Sequence, residues 1–127
     1  WYFEVRVDAI EAGLDDGMAI GVTTCSPAEV EVVPETMEEL DPCWLCGFGG
    51  SQWDGNRRIW SPAPWKPSEL RVGDRVGILV TNTGKMRVLV KGSVEAQGDF
   101  SVPCNQPLFG VIDLIGATRG VTVQLDS

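Results

Sequence analysis

Two cysteines separated by two residues, Cys43 and Cys46 in the stretch ELDPCWLCGFGG, are the most chemically suggestive feature of this 127-residue chain. That spacing serves structural zinc sites and redox dithiols. A structural zinc needs four ligands. The chain holds four cysteines and no histidine, so Cys25, Cys43, Cys46 and Cys104 would all have to converge. A redox dithiol wants its first cysteine at a helix N-terminus, where the dipole lowers the thiol pKa, but the Gly-Phe-Gly-Gly that follows does not open a helix. The third reading is one buried strand, with Cys43 and Leu45 on one sheet surface and Trp44 and Cys46 on the other. Cysteines on opposite faces share neither a metal nor a disulfide with each other. The strand reading is preferred: the pair is structural, and neither a metal nor a cofactor is expected.

The lack of histidine reaches further. It removes the Ser–His and Cys–His nucleophile pairs and the commonest general base at neutral pH. The stretch GFGGSQ lacks the third glycine of a dinucleotide fingerprint, and TGK lacks its Gly-rich upstream partner. Asp15–Asp16 and Glu38–Glu39 sit in turn and loop sequence with nothing apolar beside them to raise a pKa, so they read as solvated charge. No catalytic residue is assigned, and the chain is read as a non-enzyme.

Net charge is −8 and unevenly spread: residues 1–64 hold 12 acidic and 3 basic side chains, residues 65–127 hold 6 and 7. Glu29, Glu31, Glu35, Glu38, Glu39 and Asp41 follow one another with no basic residue between them. Such a field repels phosphate backbones and anionic lipid, which argues against nucleic acid and membranes as partners. The longest apolar run, PLFGVIDLIGA, is interrupted by Asp113 and is far too short to span a bilayer. The even cysteine count would suit two disulfides in a secreted domain. No asparagine lies in a glycosylation acceptor site, and a core of this size needs no staples, so free thiols in the cytoplasm are expected.

The elements that must carry these residues are strands. WYFEVRVD alternates Trp1, Phe3, Val5 and Val7 against Tyr2, Glu4, Arg6 and Asp8; MAIGVTTC, DRVGILV, MRVLV and GVTVQL alternate likewise. TNTGK, residues 81–85, supplies Asn and Gly for the left-handed backbone of a hairpin. PLFGVIDLI is apolar on both faces and reads as a central strand. The best helical signal is SPAEVEVV, with Ser26 as cap, Pro27 at the first helical position and Glu29 as capping-box acid. Two long loops are expected, an acidic one over roughly 30–42 and one over roughly 49–69 bearing Trp53, Trp60 and Trp65. The class is all-β: a two-sheet antiparallel β-sandwich with little helix. Phe3, Val5, Ile20, Val22, Trp44, Val76, Ile78, Val88, Val111 and Leu114 form its expected core.

The ordered segments YFEVRVDAIEAGLDDGMAIGVTTCSP, CWLCG, LRVGDRVGILVTNTGKMRVLVKG and PLFGVIDLIGATRGVTV resemble the neuralized homology repeat, a branch of the SPRY-like β-sandwich group with its concanavalin-like jelly roll. The resemblance runs from about Tyr2 to Val123. It implies a single domain over 1–127, cut from a longer protein and lacking the family's first strands. One departure is a hairpin turn, Lys91-Gly92, where relatives carry Asn-Gly. The resemblance also implies a non-catalytic protein–protein interaction module that binds short peptide segments of partner proteins, as in the substrate-recruiting arm of a ubiquitin ligase.

Three segments are candidates for the peptide site. Pro34, Thr36 and Met37 make an apolar step among the acidic residues. Trp53, Asn56, Arg57 and Arg58 combine an aromatic platform with hydrogen-bond donors. Ile115, Gly116 and Ala117 follow the apolar strand, and SPRY-like relatives use the matching region in contacting peptides. The first and third are expected to line one shallow groove, whose carboxylates favour a basic or amide-rich ligand. The alternative is a carbohydrate-binding sandwich, with Trp53, Trp60 and Trp65 stacking on a sugar and Asp54 and Asn56 bonding to it.

Overall fold

In the computed structural model of the chain, residues 1–11, 17–25, 42–114 and 118–124 are described. Ten strands follow in order: β1 (Tyr2–Ile10), β2 (Ala19–Thr23), β3 (Cys43–Gly47), β4 (Ser51–Asp54), β5 (Ile59–Pro62), β6 (Arg75–Val80), β7 (Met86–Val90), β8 (Ser93–Gln97), β9 (Phe109–Asp113) and β10 (Thr118–Gln124). They build two five-stranded antiparallel sheets, ordered β10-β1-β6-β7-β8 and β5-β4-β3-β2-β9. Among the described residues the helical content is one 3-10 turn, Pro67–Glu69. The expected two-sheet sandwich is the observed fold.

The core lies between the sheets and follows from the alternation. Val5, Val7, Val76, Ile78 and Val88 descend from the first sheet onto Ile20, Val22, Trp44 and Cys46 of the second. Antiparallel pairing puts Phe3 opposite Ile78 and Val5 opposite Val76, so the apolar set of each strand shares one face. Trp65 and Leu70, from the segment around the 3-10 turn, close one side of this core, with Phe100 and Val102 from the stretch after β8. Two of the expected core residues, Phe3 and Leu114, are half-buried at its margin. Val111 is buried, but in a second cluster with Cys43, Leu45 and Trp53 rather than between the sheets. A strand buried on both faces has no alternation to reveal which apolar residues point inward.

Residues 49–69 are not a loop. They contain the β4–β5 hairpin and the 3-10 turn. Both strands have four residues, and β5 ends at Pro62, as an edge strand allows. Their shortness and the polar residues of the turn hid them from a periodicity argument. β9, read as central, lies at the end of its sheet among the described residues. Edge-strand β8 has no counterpart in the sequence reading: only Ala96 of its five residues is buried, and its extra residue Glu95, opposite the Val88–Leu89 step of β7, spoils its alternation. In the 81–85 turn only Gly84 is left-handed (φ 85°), and Asn82 is not. The Gly84 N–H bonds back to the Thr81 carbonyl (3.0 Å), giving a type I turn closed by a left-handed residue. The helical candidate at 26–33 and the acidic loop lie outside the described residues, apart from Pro42 at the loop's end.

Candidate functional site

CWLCG is β3, buried over all five residues. Cys46 belongs to the inter-sheet core and Cys43 to the cluster on the other side of the sheet. The strand geometry therefore separates them as the alternation required. None of the four cysteines is in a disulfide. Burial pushes the Cys46 thiol up to about 12, which leaves it protonated and poorly nucleophilic at neutral pH. Among the described residues no cluster of three or more His, Cys, Asp or Glu could hold a metal ion, and no helix is long and apolar enough to cross a membrane.

The tryptophan segment is a rigid corner. Trp53 on β4 pairs directly with Trp60 on β5, their rings 5.1 Å apart and tilted, and Trp60 meets Phe48 edge-on at 5.6 Å. Trp53 is only 8% exposed, because it covers Leu45 and Cys43 on the outer surface of the sheet. The aromatic surface offered to solvent is Trp60, at 41%, while the exposed Ile59 before it points to the other face of β5. Trp65 is a core anchor. The platform expected at Trp53 thus lies one strand further out.

Asp54, which the sequence reading used only as a sugar contact, organises the turn. Its buried carboxylate accepts the backbone N–H of Asn56 (2.8 Å), with a longer contact to the N–H of Arg57 (3.4 Å). Its backbone carbonyl accepts the Arg58 N–H (2.7 Å). This is an Asx-type turn, for which Asp followed by Gly-Asn was the available signal. Arg58 closes it in a left-handed conformation (φ 57°). The Arg57 guanidinium lies 3.8 Å from the Asp54 carboxylate and is largely exposed. The Asn56 amide has one tie inside the fold, its Nδ2 donating to the Ser101 carbonyl (2.8 Å). Gln52 makes the same kind of tie: its Nε2 donates to the Pro62 carbonyl and its Oε1 accepts the Asp99 N–H. Together Gln52 and Asn56 fasten the hairpin to the segment after β8.

Of the ten predicted site residues, Trp53, Asn56, Arg57 and Arg58 are brought together in this hairpin. Pro34, Thr36, Met37, Ile115, Gly116 and Ala117 lie outside the described residues. The anchoring residues of those two segments are described. Thr23 pairs with Cys43, and its hydroxyl donates to the Pro42 carbonyl (2.6 Å), so Cys25 and Pro42 stand at the end of the sheet where the 55–58 turn also lies. Asp113 pairs with Ala19, which pairs with Gly47, so Leu114 stands at the opposite end. The two flanking points therefore bracket the outer surface of the second sheet from its two ends.

Comparison with known proteins places this arrangement. The family model described as Neuralized matches residues 2–125. Among solved structures, the chain is similar to the neuralized-nhr1 domain of Drosophila melanogaster, with a TM-score of 0.73 at 17% sequence identity. That match covers 100% of this chain and 73% of the other.

Proposed function

We propose, since this chain belongs to the Neuralized family of protein-interaction domains, that it binds short extended or turn-shaped peptide segments of partner proteins. The observation that carries this reading is the Trp60 corner, an exposed aromatic surface on a hairpin held rigid by Asp54, Gln52 and Asn56. Binding hot spots favour such preorganised aromatic groups flanked by arginine. Arg57 and Arg58 supply the flank. Pro34, Thr36, Met37, Ile115, Gly116 and Ala117 complete the proposed set of contact residues. The acidity of residues 29–41 selects a basic or amide-rich ligand over an acidic one. The domain is one unit, 1–127, of a longer cytoplasmic protein, where it serves as a substrate-recruiting arm in ubiquitin ligation.

The sugar reading loses support at the same corner. Asp54 and Asn56, its polar partners, are engaged in holding the turn and the hairpin. A peptide array followed by calorimetry tests the proposal. In Trp60→Ala the affinity for the best array peptide is expected to fall at least tenfold, about 1.4 kcal/mol or more, with the melting temperature little changed. An array without hits, or a glycan array with them, removes the peptide reading.

A further inference from the structure

A cavity of about 410 Å³ opens on the flank of the sandwich, between the segment that leaves β5 and the β7–β8 hairpin. Its walls are described residues throughout, and it lies at the Asp74 end of β6, whereas Trp1 bonds at the Val80 end. The volume is at the small end of ligand pockets, which run from roughly 300 to 1,000 Å³. Trp65 and Leu70, both buried, and the half-buried Val90 give it an apolar floor.

Trp65 is 5% exposed, yet no described residue accepts a hydrogen bond from its indole N–H. Nor is that N–H sealed off, as the indole N–H of Trp44 is in the inter-sheet core. The open space that Trp65 borders is the cavity, so a largely buried donor is aimed into it without an acceptor. A buried donor of this kind calls for one.

Two backbone irregularities bring charge to the opposite wall. Val90 pairs with Ser93, and between them Lys91 (φ 53°) and Gly92 (φ 83°) are both left-handed. This is a type I′ turn, in which Asn or Gly is the usual first residue. The Lys91 Nζ lies 3.3 Å from Asp74 Oδ1, which holds the side chain at the cavity. Val88 pairs with Ala96 and Leu89 with Val94, so Glu95 is an extra residue of β8, taken out of the ladder and set on the cavity wall. From the other side the 3-10 turn contributes Glu69, and Lys66 precedes it.

Asp74 is satisfied within the fold, since its second oxygen accepts the Arg71 N–H (2.8 Å). Glu69 and Glu95 are exposed and have no ion-pair partner among the described residues, nor has Lys66. The cavity thus sets two uncompensated carboxylates against one ammonium, beside an indole donor and an apolar floor. One arginine residue supplies the complement. Its guanidinium donates to the carboxylates, its aliphatic stem covers Leu70 and Val90, and its backbone carbonyl accepts from Trp65 and Lys66.

We infer that this cavity is a second recognition site, which takes an arginine residue of a partner protein. This rests on the reading of the chain as a peptide-binding module and gives its preference for basic ligands a definite place. Arginine is favoured over lysine because its planar fork engages two carboxylates at once, whereas an ammonium is a point charge. The net charge of −8 draws a basic partner towards it.

The probe is a blocked tripeptide with arginine between two serines, titrated calorimetrically into the protein as the cell makes it. Saturable binding is expected at millimolar concentration or below. The citrulline tripeptide, equal in shape but uncharged, is expected to bind at least tenfold more weakly, and the lysine tripeptide at least threefold. Agmatine, which has the guanidinium without the carbonyl, is expected to lose at least threefold. Glu69→Gln combined with Glu95→Gln, both at exposed positions, should weaken the arginine peptide at least tenfold and leave the melting temperature unchanged. With 15N-labelled tryptophan, the indole signal that Trp65→Phe removes is expected to move on binding, and that of Trp60 to stay. The proposal is overturned by no binding at millimolar peptide, by citrulline, lysine or agmatine binding as tightly as the arginine peptide, by full affinity in the double variant, or by movement at Trp60 alone. None of these outcomes touches the Trp60 reading, which falls only with the peptide array.

Discussion

The outer surfaces of the two sheets are built on opposite principles. On the first, Tyr2, Glu4, Arg6 and Asp8 point to water and are held by polar contacts. Arg75 lies 3.4 Å from Glu4, Arg6 lies 2.9 Å from Asp8, the Thr122 hydroxyl bonds to Asp8, and Arg87 bonds to Gln97. On the second, Ala19, Gly21, Cys43, Leu45, Trp53 and Val111 are buried. β2 and β3 are consequently closed on both faces. A wet face needs only solubility, and its ion pairs contribute little stability. An apolar outer face has to be covered, and it gives the aromatic corner a rigid floor. The exposed Trp60 sits on that second surface, held there against the buried Trp53.

The largest expected difference between the two faces is in leucine truncation. Leu45→Ala, at a fully buried site, should cost about 2–5 kcal/mol. Leu89→Ala, half-buried on the wet face, should cost less than about 1 kcal/mol. Chemical denaturation of both variants measures the gap, and equal losses would mean that the second outer surface is no core at all. Next in size is Gly21→Ala. A Cβ there would overlap the Trp44 carbonyl, which belongs to backbone and cannot swing away, so a loss of about 1–3 kcal/mol or more is expected. Thermal melting decides it, and a neutral result would show that β2 and β3 are less closely apposed than their pairing implies.

The smallest effect belongs to the wet face and concerns pH. Partial burial and the Glu4 carboxylate that accepts its hydrogen bond raise the Tyr2 hydroxyl to about 12, above its ordinary value of 10. A raised folded-state value stabilises the fold below the unfolded pKa and is lost as pH climbs through the folded one. Stability should therefore decline between about pH 10 and 12, and Tyr2→Phe should flatten that decline. A pH series of denaturation midpoints reads it out. An identical slope in both proteins removes Tyr2 from the account.

Legibility divided along the same line. The strands of the wet-faced sheet were readable because one side meets water: β1 alternates apolar with polar residues, and the every-second-residue sets Val76, Ile78, Val80 of β6 and Met86, Val88 of β7 are in the observed core. CWLCG was read as a strand by eliminating metal and redox chemistry, and its faces came out as alternation required. β9, apolar on both sides, reads as central, and among the described residues it lies at the end of its sheet, because apolar faces do not report whether a strand pairs beyond. The β4–β5 hairpin was missed because four-residue strands carry too few periods to be seen, although Asp54-Gly55-Asn56 announced its turn.

Alternation, turn residues and ordered family segments were enough to establish an antiparallel sandwich, because each is a local property of the chain. Which tryptophan meets solvent was not local. Trp53, Trp60 and Trp65 are one residue type in one short segment, and they end as a floor, a surface and a core anchor. Strand pairing between β4 and β5 and the ties from Gln52 and Asn56 to residues more than forty positions away decided that. The place of β9 at the end of its sheet among the described residues is of the same kind. A strand's own sequence specifies its two faces, but whether its outward N–H and C=O groups find a neighbour depends on what the rest of the chain places beside it.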